Sequence, residues 1–347
     1  MTVRINKSAF NIREKLSELE RPIGLKGSEL MRAETVQEAR NLVSAGRKNL
    51  LINGDMRVAQ RGTSGTKSGN SYGGYLSVDR WAVYYDDTII AQTDVTINGR
   101  PKKALKVTGA SPNGRPYVYQ KIENCSRLVG DGTPFSISFW ARASANIEML
   151  MQWRYYDTGT ENSGSNSTIE TIDITTEWKH YKFENITKID ANYNITRDGG
   201  VWFYNADNSV GSGIWFECTE VQVELGKVAT EFEHRSFGEE LALCQRYYQK
   251  SYNYSQPPGA GTSSGSEWFT REGASGRIVT TTSFQVQMRA TPTFKIYDWA
   301  GNIDRVRTSS GNNQTITESY AHEKKITVGK TASISELLYQ WYAEAEL

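Results

Sequence analysis

Asn49–Gly62 reads NLLINGDMRVAQRG, and this stretch decides the fold class. Three apolar residues, Leu50–Ile52, predict a short strand that stops at the Asn-Gly-Asp turn of residues 53–55. Far downstream, Val221–Arg235 reads VQVELGKVATEFEHR, and its alternation predicts a strand that closes the same unit. With Asp79-Arg80-Trp81 between them, the two segments outline a β-sandwich.

The region 48–236 has the alternating pattern of β-strands, interrupted by polar, turn-rich clusters. Long Gly/Ser/Asn loops are predicted at 62–74 and 158–167, and helical periodicity is missing. A single jelly roll with long loops accounts for a region of this length. The strands predicted from alternation include Ala104–Thr108, Phe135–Ala141, Ile147–Tyr155, Trp178–Phe183, Val201–Tyr204 and Ile214–Val223.

A helix is predicted next, over 237–250, where FGEELALCQRYYQK places Leu241, Cys244 and Tyr248 on one side. The run of Pro, Gly and Ser at 257–265 separates this helix from a second β unit. Residues 237–347 therefore combine a linking helix with a small C-terminal β domain. Its predicted strands lie near Trp268 and at Ile278–Met288, Thr293–Tyr297, Thr315–Thr317, Lys325–Val328 and Leu337–Glu346.

The N-terminal segment, 1–47, has its own composition, since all nine Trp lie at or beyond Trp81. Apolar residues with a/d spacing before Pro22 predict a short helix that needs partner helices to be stable. Thr35–Glu38 is a capping box that predicts a second helix, ending near Gly46. We expect a helical docking and oligomerisation segment, or alternatively an amphipathic helix lying on its own domain. The oligomerisation residues are Ile5, Ala9, Ile12, Leu16 and Leu19.

Composition narrows the range of partners. The 40 Lys and Arg nearly balance 39 Asp and Glu, so no global field favours nucleic acid or an anionic membrane. No apolar run approaches the roughly 18 residues of a membrane span, and the first residues lack the apolar region of a secretion signal.

Cys125, Cys218 and Cys244 are odd in number and widely spaced, which predicts buried thiols in a reducing cytoplasm.

The order of these segments resembles that of phage tail fibres and receptor-binding proteins with carbohydrate-binding-module-like jelly rolls. The resemblance rests on NLLINGDMRVAQRG, VQVELGKVATEFEHR and the GEELALCQRYYQKSY that follows. FQVQMRATPTFKIYDWAGN and LLYQWYAEAEL resemble the C-terminal domain of many tail-fibre sequences. The leader resembles those of fibre-like structural proteins of marine cyanobacterial phages. The resemblance implies docking to other virion proteins through 1–47, glycan adhesion, and a homotrimer, because phage fibres are usually trimeric.

Enzyme signatures are missing from the sequence. His180, His234 and His322 are the only histidines, and none has metal-ligand spacing to another His or to a Cys. GxSxG, HExxH, a P-loop and a GxGxxG after a strand do not occur. The carboxylate pair of a glycosidase cannot be chosen from 39 candidates without a structure. We therefore expect a binding protein with no catalytic residue.

Sugar binding fits the residues better, because pyranose rings offer apolar faces to aromatic side chains and hydroxyls to amide and guanidinium groups. Alternation places Trp153 in the core and its neighbours outside. Trp299 lies in a turn, where an exposed aromatic would suit receptor contact at a distal tip. Outward aromatics also pack on loops or neighbouring subunits, so a structural role stays open. The predicted glycan-binding residues are Trp140, Arg142, Gln152, Arg154, Tyr156, Trp202, Tyr204 and Trp299.

Asn53, Asp55 and Asp79 offer oxygen ligands near the start of the sandwich. The resemblance implies a structural calcium there, with Asn53 and Asp55 as candidate ligands, and no other cofactor. Turn capping explains the same side chains without a metal. We interpret Asp79-Arg80-Trp81 as a buried or edge structural motif, and Trp341 as a core residue of the last strand.

These observations predict a mainly β protein in three parts: the helical docking segment 1–47, the jelly roll 48–236, and the linking helix with a C-terminal β domain, 237–347. Its predicted role is that of a tail fibre or receptor-binding protein that attaches a phage to a host cell-surface glycan. It would be assembled in the host cytoplasm and carried on the virion without membrane insertion. The alternatives are a capsid fibre, decoration or tail-connecting structural protein, and a polysaccharide-degrading spike.

Overall fold

The structure is a computed structural model of the 347-residue chain, in which Asn49–Leu347 form one compact unit. The predicted docking residues, Ile5, Ala9, Ile12, Leu16 and Leu19, lie outside the described residues, as do Cys125 and Tyr156. The described residues are 48–68, 74–84, 87–111, 117–123, 133–155, 166–187, 199–205, 213–271, 276–331 and 334–347.

These residues are mainly β, as predicted. None of the described residues form a helix with the length and hydropathy of a membrane span. The first strands are β1 Ser64–Lys67, β2 Ala82–Val83, β3 Thr88–Ile97, β4 Arg100–Gly109, β5 Tyr117–Ile122, β6 Phe135–Ala143, β7 Ile147–Tyr155, β8 Asn166–Ile174, β9 Lys179–Ile186, β10 Gly199–Asn205 and β11 Trp215–Leu225. Then come helix α1 Phe237–Gln245 and strands β12 Tyr248–Lys250, β13 Glu267–Thr270, β14 Arg277–Ser283, β15 Thr293–Tyr297, β16 Arg305–Thr308, β17 Gly311–Thr315, β18 Glu318–His322, β19 Lys325–Thr331 and β20 Glu336–Glu344.

Strands β1–β11 form two antiparallel sheets that pack into a sandwich. The first sheet has the order β1-β3-β4-β11-β6-β9, and the second has the order β2-β5-β10-β7-β8. Alternation decides which side chains enter the core between them, because successive residues of a strand point to opposite faces. Phe139 of β6, Trp153 of β7 and Phe203 of β10 are buried there, which confirms Trp153 as a core residue.

The segment that begins the sandwich lies beside β11, but it is not a strand, so the prediction for Leu50–Ile52 is wrong. Leu50 N–H donates to Val223 O at 2.8 Å, which is the contact expected of a closing segment. The Asn49 side chain prevents a regular ladder, because its Oδ1 accepts from both Leu51 N–H and Val223 N–H. The Asn49 side chain thus makes hydrogen bonds that a strand backbone would otherwise make, and the backbone of residues 50–53 bends.

Helix α1 is shorter than predicted. It begins at a capping box in which the Ser236 hydroxyl accepts from Glu239 N–H, and the Glu239 carboxylate accepts from Ser236 N–H. It ends at Gln245, because the chain then enters β12, where Tyr248 pairs with Glu344 of β20. The predicted helical position of Tyr248 is therefore wrong, since sheet pairing with a distant strand replaces the last helical turn.

The C-terminal strands assemble around β20. Strands β12, β13, β15 and β16 all pair with β20, β17 pairs with β16, and β14-β19-β18 form a separate three-stranded sheet. A second core lies between them, and Trp341 is 4% exposed there, as predicted. Strand β16 was not predicted, because the short sequence RVRT has too little apolar alternation to be recognised.

A buried ionic cluster joins the sandwich to the last residues of the chain. Arg61 Nη2 lies 2.9 Å from Glu346 Oε1, and Arg80 pairs with the other oxygen of the same carboxylate. The Arg80 guanidinium also lies 3.6 Å from the ring centre of Tyr247, just beyond α1. Asp79, Arg80 and Trp81 are each at most 1% exposed, which confirms this motif as buried structure.

Candidate functional site

The predicted glycan-binding residues of the sandwich fall on two opposite surfaces. Trp140 and Arg142 of β6 point away from the core on the outer face of the first sheet. Arg154 of β7 and Trp202 of β10 do the same on the outer face of the second sheet. These residues therefore do not line one common groove, because the whole thickness of the sandwich separates the two pairs.

On the second sheet, the indole of Trp202 is enclosed. Tyr119, directly opposite on β5, stacks on it with ring centres 3.8 Å apart and an angle of 10°. The Arg154 guanidinium, reaching from β7 on the other side of β10, lies 4.5 Å from the same ring centre. Both faces of the indole are thus covered, and Trp202 is only 2% exposed. No sugar can stack on it in this conformation.

The polar residues beside Trp202 hold that stack together. Gln152 Nε2 donates to Tyr204 Oη at 3.1 Å, and Arg154 donates twice to Gln152 Oε1, at 2.9 and 3.1 Å. Tyr117 packs against both Trp202 and Tyr204. These contacts orient Arg154 over Trp202, so the second sheet carries a self-contained aromatic and polar network.

The first sheet is different, because its outer face carries three partly buried tryptophans. We call this surface the tryptophan face. Trp140 lies on β6, Trp178 immediately precedes β9, and Trp215 begins β11. Trp178 and Trp215 were not predicted as site residues, although alternation in TEWKHYKF and IWFECTEV places them outside. The other residues of the tryptophan face are Lys106, Arg142, His180, Glu217 and Thr219.

Cations and indoles alternate across this face. Lys106 Nζ lies 4.3 Å from the ring centre of Trp215. The Arg142 guanidinium lies 5.5 Å from the ring centre of Trp215 and 5.0 Å from that of Trp178. Such cation–π contacts hold the flat side chains in fixed orientations. The row spans β4, β11, β6 and the start of β9.

The tryptophan face is concave towards solvent. Trp140 and Trp178 pack against an apolar patch formed by Val95, Ile97 and Ala104 on β3 and β4. Strand β9 lies three positions from β4 in the sheet, and neighbouring strands are about 4.8 Å apart. Contact across that span requires the sheet to curl towards its outer side, which makes the face a shallow trough.

Hydrogen-bonding groups line the trough beside the indoles. Arg142 Nε donates to Glu217 Oε2 at 2.8 Å, and Thr93 Oγ1 donates to Glu217 Oε1 at 3.1 Å. The Arg142 side chain is 34% exposed and that of Glu217 is 4% exposed. The buried carboxylate thus orients a guanidinium that still reaches solvent, as a group that recognises sugar hydroxyls needs.

His180 stacks on Trp140 with ring centres 5.0 Å apart and an angle of 11°, because the two residues are directly opposite on β9 and β6. Burial lowers the pKa of the His180 imidazole, and the nearby Lys182 ammonium lowers it further. The neutral ring therefore predominates at neutral pH, and one face of Trp140 is held by a flat, uncharged neighbour.

Trp299 lies far along the chain, in the turn between β15 and β16. The Asp298 carboxylate accepts from the N–H groups of Ala300 and Asn302 at 2.9 and 3.0 Å, which fixes the turn. Arg307 lies 4.2 Å from the ring centre of Trp299. Trp299 thus belongs to a separate surface of the C-terminal domain.

The candidate metal ligands are engaged in turn hydrogen bonds. Asn53 Nδ2 donates to Val58 O and Asp79 O at 2.8 and 2.9 Å, and Asn53 Oδ1 accepts from Val58 N–H at 2.9 Å. Arg57 pairs with one carboxylate oxygen of Asp55. The part of the chain that the structure describes contains no group of three or more His, Cys, Asp or Glu placed to hold a metal. Calcium binding by Asn53 and Asp55 stays a prediction.

No protein-family model matches the chain, and no curated protein matches it. Among solved structures, a family 30 carbohydrate-binding module is similar at 13% identity and a TM-score of 0.34, over 56% of this chain and 97% of that one. The CBM22-2 xylan-binding domain from Paenibacillus barcinonensis Xyn10C is 14% identical with a TM-score of 0.31, over 42% and 91% of the two chains. The enzymatically active domain of bacteriophage CBA120 tailspike protein 4 is 13% identical with a TM-score of 0.32, over 51% of this chain but only 21% of that one.

Proposed function

We propose that this protein binds a glycan on the tryptophan face, in the trough formed by Trp140, Trp178 and Trp215. The observation that carries the proposal is the row of partly exposed indoles interleaved with Lys106 and Arg142. Indole rings supply flat apolar surface for the faces of pyranoses, and the guanidinium supplies directed donors for their hydroxyls. A shallow trough suits an extended polysaccharide bound by several such contacts.

Binding without catalysis is the better proposal for this trough. Its buried carboxylate, Glu217, is paired with Arg142, and Glu220 is paired with Lys102. A glycosidase needs one carboxyl group as an acid and another as a nucleophile or base. Glu217 and Glu220 are instead engaged in ion pairs with Arg142 and Lys102.

In a biological setting, we propose that the chain is a virion appendage, either a tail fibre or a receptor-binding protein, that attaches to a host cell-surface glycan. The heptad pattern of the first residues supports docking to other virion proteins through 1–47 and assembly as a homotrimer. Three copies would present three troughs, and multivalent attachment turns weak single sites into strong adhesion.

Glycan binding is tested with full-length protein on an array of bacterial surface polysaccharides, followed by affinity electrophoresis in gels containing those that bind. The double variant Trp140→Ala/Trp178→Ala should lose at least about tenfold in affinity, since each aromatic contact contributes about 1 kcal/mol. Tyr320→Ala is the control, because this exposed aromatic lies on the three-stranded C-terminal sheet. Unchanged binding by the double variant would overturn the assignment of the site.

The oligomer is tested by sedimentation of the full chain and of a chain that starts at Lys48. The full chain should sediment as a trimer, and the shorter chain as a folded monomer, since Asn49–Leu347 form a compact unit with their own cores. A full chain that stays monomeric would count against the fibre arrangement.

The appendage role is tested on intact particles by cryo-electron microscopy. Density for this protein at the tail, with its C-terminal domain outwards, would favour host attachment. A position on the capsid shell, together with binding to purified particle proteins and not to cells, would favour a capsid fibre, decoration or tail-connecting protein. Thinning of host polysaccharide by the purified protein would instead indicate a degrading spike.

A further inference from the structure

The C-terminal domain carries a strongly exposed indole that the tryptophan face does not use. Trp268 of β13 is 64% exposed, more than the other large apolar side chains that are exposed in the described residues. Phe269, next to it in the strand, points the opposite way and packs against the C-terminal core. Alternation therefore presents Trp268 on the outer face of the sheet around β20.

Strand register places Arg307 on the same face. Trp268 is directly opposite Leu338 on β20, and Arg307 of β16 is directly opposite Leu338 from the other side. Directly paired residues in antiparallel strands point to the same face of a sheet. The Cα atoms of Trp268 and Arg307 are thus about 10 Å apart across β20, at two strand spacings.

The Arg307 guanidinium is available for an anion. No carboxylate of the described residues lies within ion-pair distance of it, and it lies 4.2 Å from the ring centre of Trp299. Leu338, which pairs with both residues, is 1% exposed. The guanidinium therefore lies close to one indole, that of Trp299, and a second, exposed indole, that of Trp268, lies across β20.

The turn that carries Trp299 holds the Arg307 guanidinium in position. Trp299 sits in the turn that the Asp298 carboxylate organises, and Asp298 Oδ2 also accepts from Asn313 N–H of β17 at 2.8 Å. That bond ties the turn to the hairpin that carries Arg307, since β16 and β17 are paired. A preorganised cation loses less entropy on binding than a free surface arginine does.

We propose that Trp268 and Arg307 form a second binding site, independent of the tryptophan face, for a sugar that carries a carboxylate. The pyranose ring would stack on Trp268, and its carboxylate would accept two hydrogen bonds from the Arg307 guanidinium. A single exposed indole of at most about 250 Å² is small beside the roughly 800 Å² per partner of a stable protein interface. The charge and size of the site together favour an acidic sugar.

The experiment uses the full chain labelled with 5-fluorotryptophan and observed by fluorine NMR, with the Trp268 signal assigned through Trp268→Phe. The probes are the methyl glycosides of glucuronate, galacturonate and N-acetylneuraminate, each compared with its methyl ester. At least one acid should shift the Trp268 signal, and its ester should not. Arg307→Gln should abolish the shift, and Arg307→Lys should weaken binding about tenfold, since lysine lacks the bidentate fork.

Val279→Ala is the matched control, because this residue is 43% exposed on the neighbouring three-stranded sheet. The shift should also persist in Trp140→Ala/Trp178→Ala, which separates this site from the tryptophan face. The proposal is overturned if none of the acids shifts the Trp268 signal, if the esters act equally, or if Arg307→Gln has no effect. Dissociation of an oligomer by Trp268→Ala in sedimentation would overturn it too, by making the indole a subunit contact.

Discussion

Two outward tryptophans show how neighbours decide what a side chain can do. Trp202 and Trp140 both point away from the core by alternation. Tyr119 and Arg154 cover both faces of the Trp202 ring, whereas Trp140 has His180 stacked on one side and stays partly exposed. The first is therefore a structural residue of the sandwich, and the second is available for a ligand.

This difference predicts that two matched substitutions will differ in how much they affect stability and glycan binding. Trp202→Ala should lower the free energy of unfolding by about 3–5 kcal/mol, because it removes a buried ring and leaves Arg154 without its stacking partner. Trp140→Ala should cost roughly half as much and should instead weaken glycan binding. Urea unfolding of both variants measures the difference. Equal stability losses would show that the two rings are equally important to packing.

His180 should make the first sheet sensitive to acid. Its pKa in the folded protein is lowered by burial and by Lys182, so the folded state favours the neutral ring more than the unfolded state does. Stability that is complete above about pH 6.5 should therefore fall as the pH drops through the folded pKa. The unfolding midpoints of wild type and His180→Gln, measured from pH 8 to 5, should diverge in this range. His322→Gln, at an exposed position of β18, is the matched control substitution.

Among the elements, the segment 49–54 closes the sandwich through backbone hydrogen bonds, although a strand was predicted at Leu50–Ile52. The 49–54 segment meets β11 through isolated hydrogen bonds, including Val221 N–H to Gly54 O at 2.9 Å. A Cβ added to Gly54 would lie 2.2 Å from Val221 O, so only glycine permits this approach. The Asn-Gly-Asp turn therefore also forms a close backbone contact with β11.

Gly54→Ala should therefore destabilise the sandwich by at least about 1–3 kcal/mol, because the backbone of β11 cannot move away cheaply. Gly238→Ala in α1 is the control, since a Cβ at Gly238 meets nothing within 4 Å. Thermal unfolding followed by circular dichroism compares the two variants. A Gly54→Ala protein as stable as wild type would show that this junction can open without cost.

At the scale of the whole molecule, a carboxylate next to the last residue joins the two halves of the compact unit. Glu346 pairs with Arg61, which lies shortly before β1, and with Arg80, which lies shortly before β2. Their side chains are 7% and 1% exposed, so neither guanidinium can be hydrated without opening the structure. The C-terminal residues thus contribute to the stability of the sandwich.

Glu346→Gln should lower the free energy of unfolding by about 3–5 kcal/mol, because it leaves two buried guanidinium groups without their shared counter-ion. Glu344→Gln should cost less, since the Glu344 side chain is 33% exposed and lies 3.7 Å from Arg61. Urea unfolding with probes in both halves should show that Glu346→Gln destabilises them together. Loss of only the C-terminal half would disprove the coupling.

Local sequence was sufficient to predict strands in which apolar and polar residues alternate and one face is buried. The predicted strands Phe135–Ala141 and Ile147–Tyr155 are closely reproduced, and Trp153 and Trp341 are core residues. Alternation also predicted correctly that Trp140 and Trp202 point outwards. It failed at Leu50–Ile52 and at the end of α1, where a side chain of Asn49 and a distant strand, β20, replace the local preference.

The mainly β class and the inward or outward direction of the strand residues follow from local sequence, because both depend on neighbours along the chain. The folded arrangement was needed to show that Arg154 encloses Trp202, that Trp178 and Trp215 join Trp140, and that Trp268 and Arg307 share one face of the sheet across β20. These relations depend on which strands become neighbours and in which register. That choice is made by packing between residues far apart in the chain, which no local pattern records.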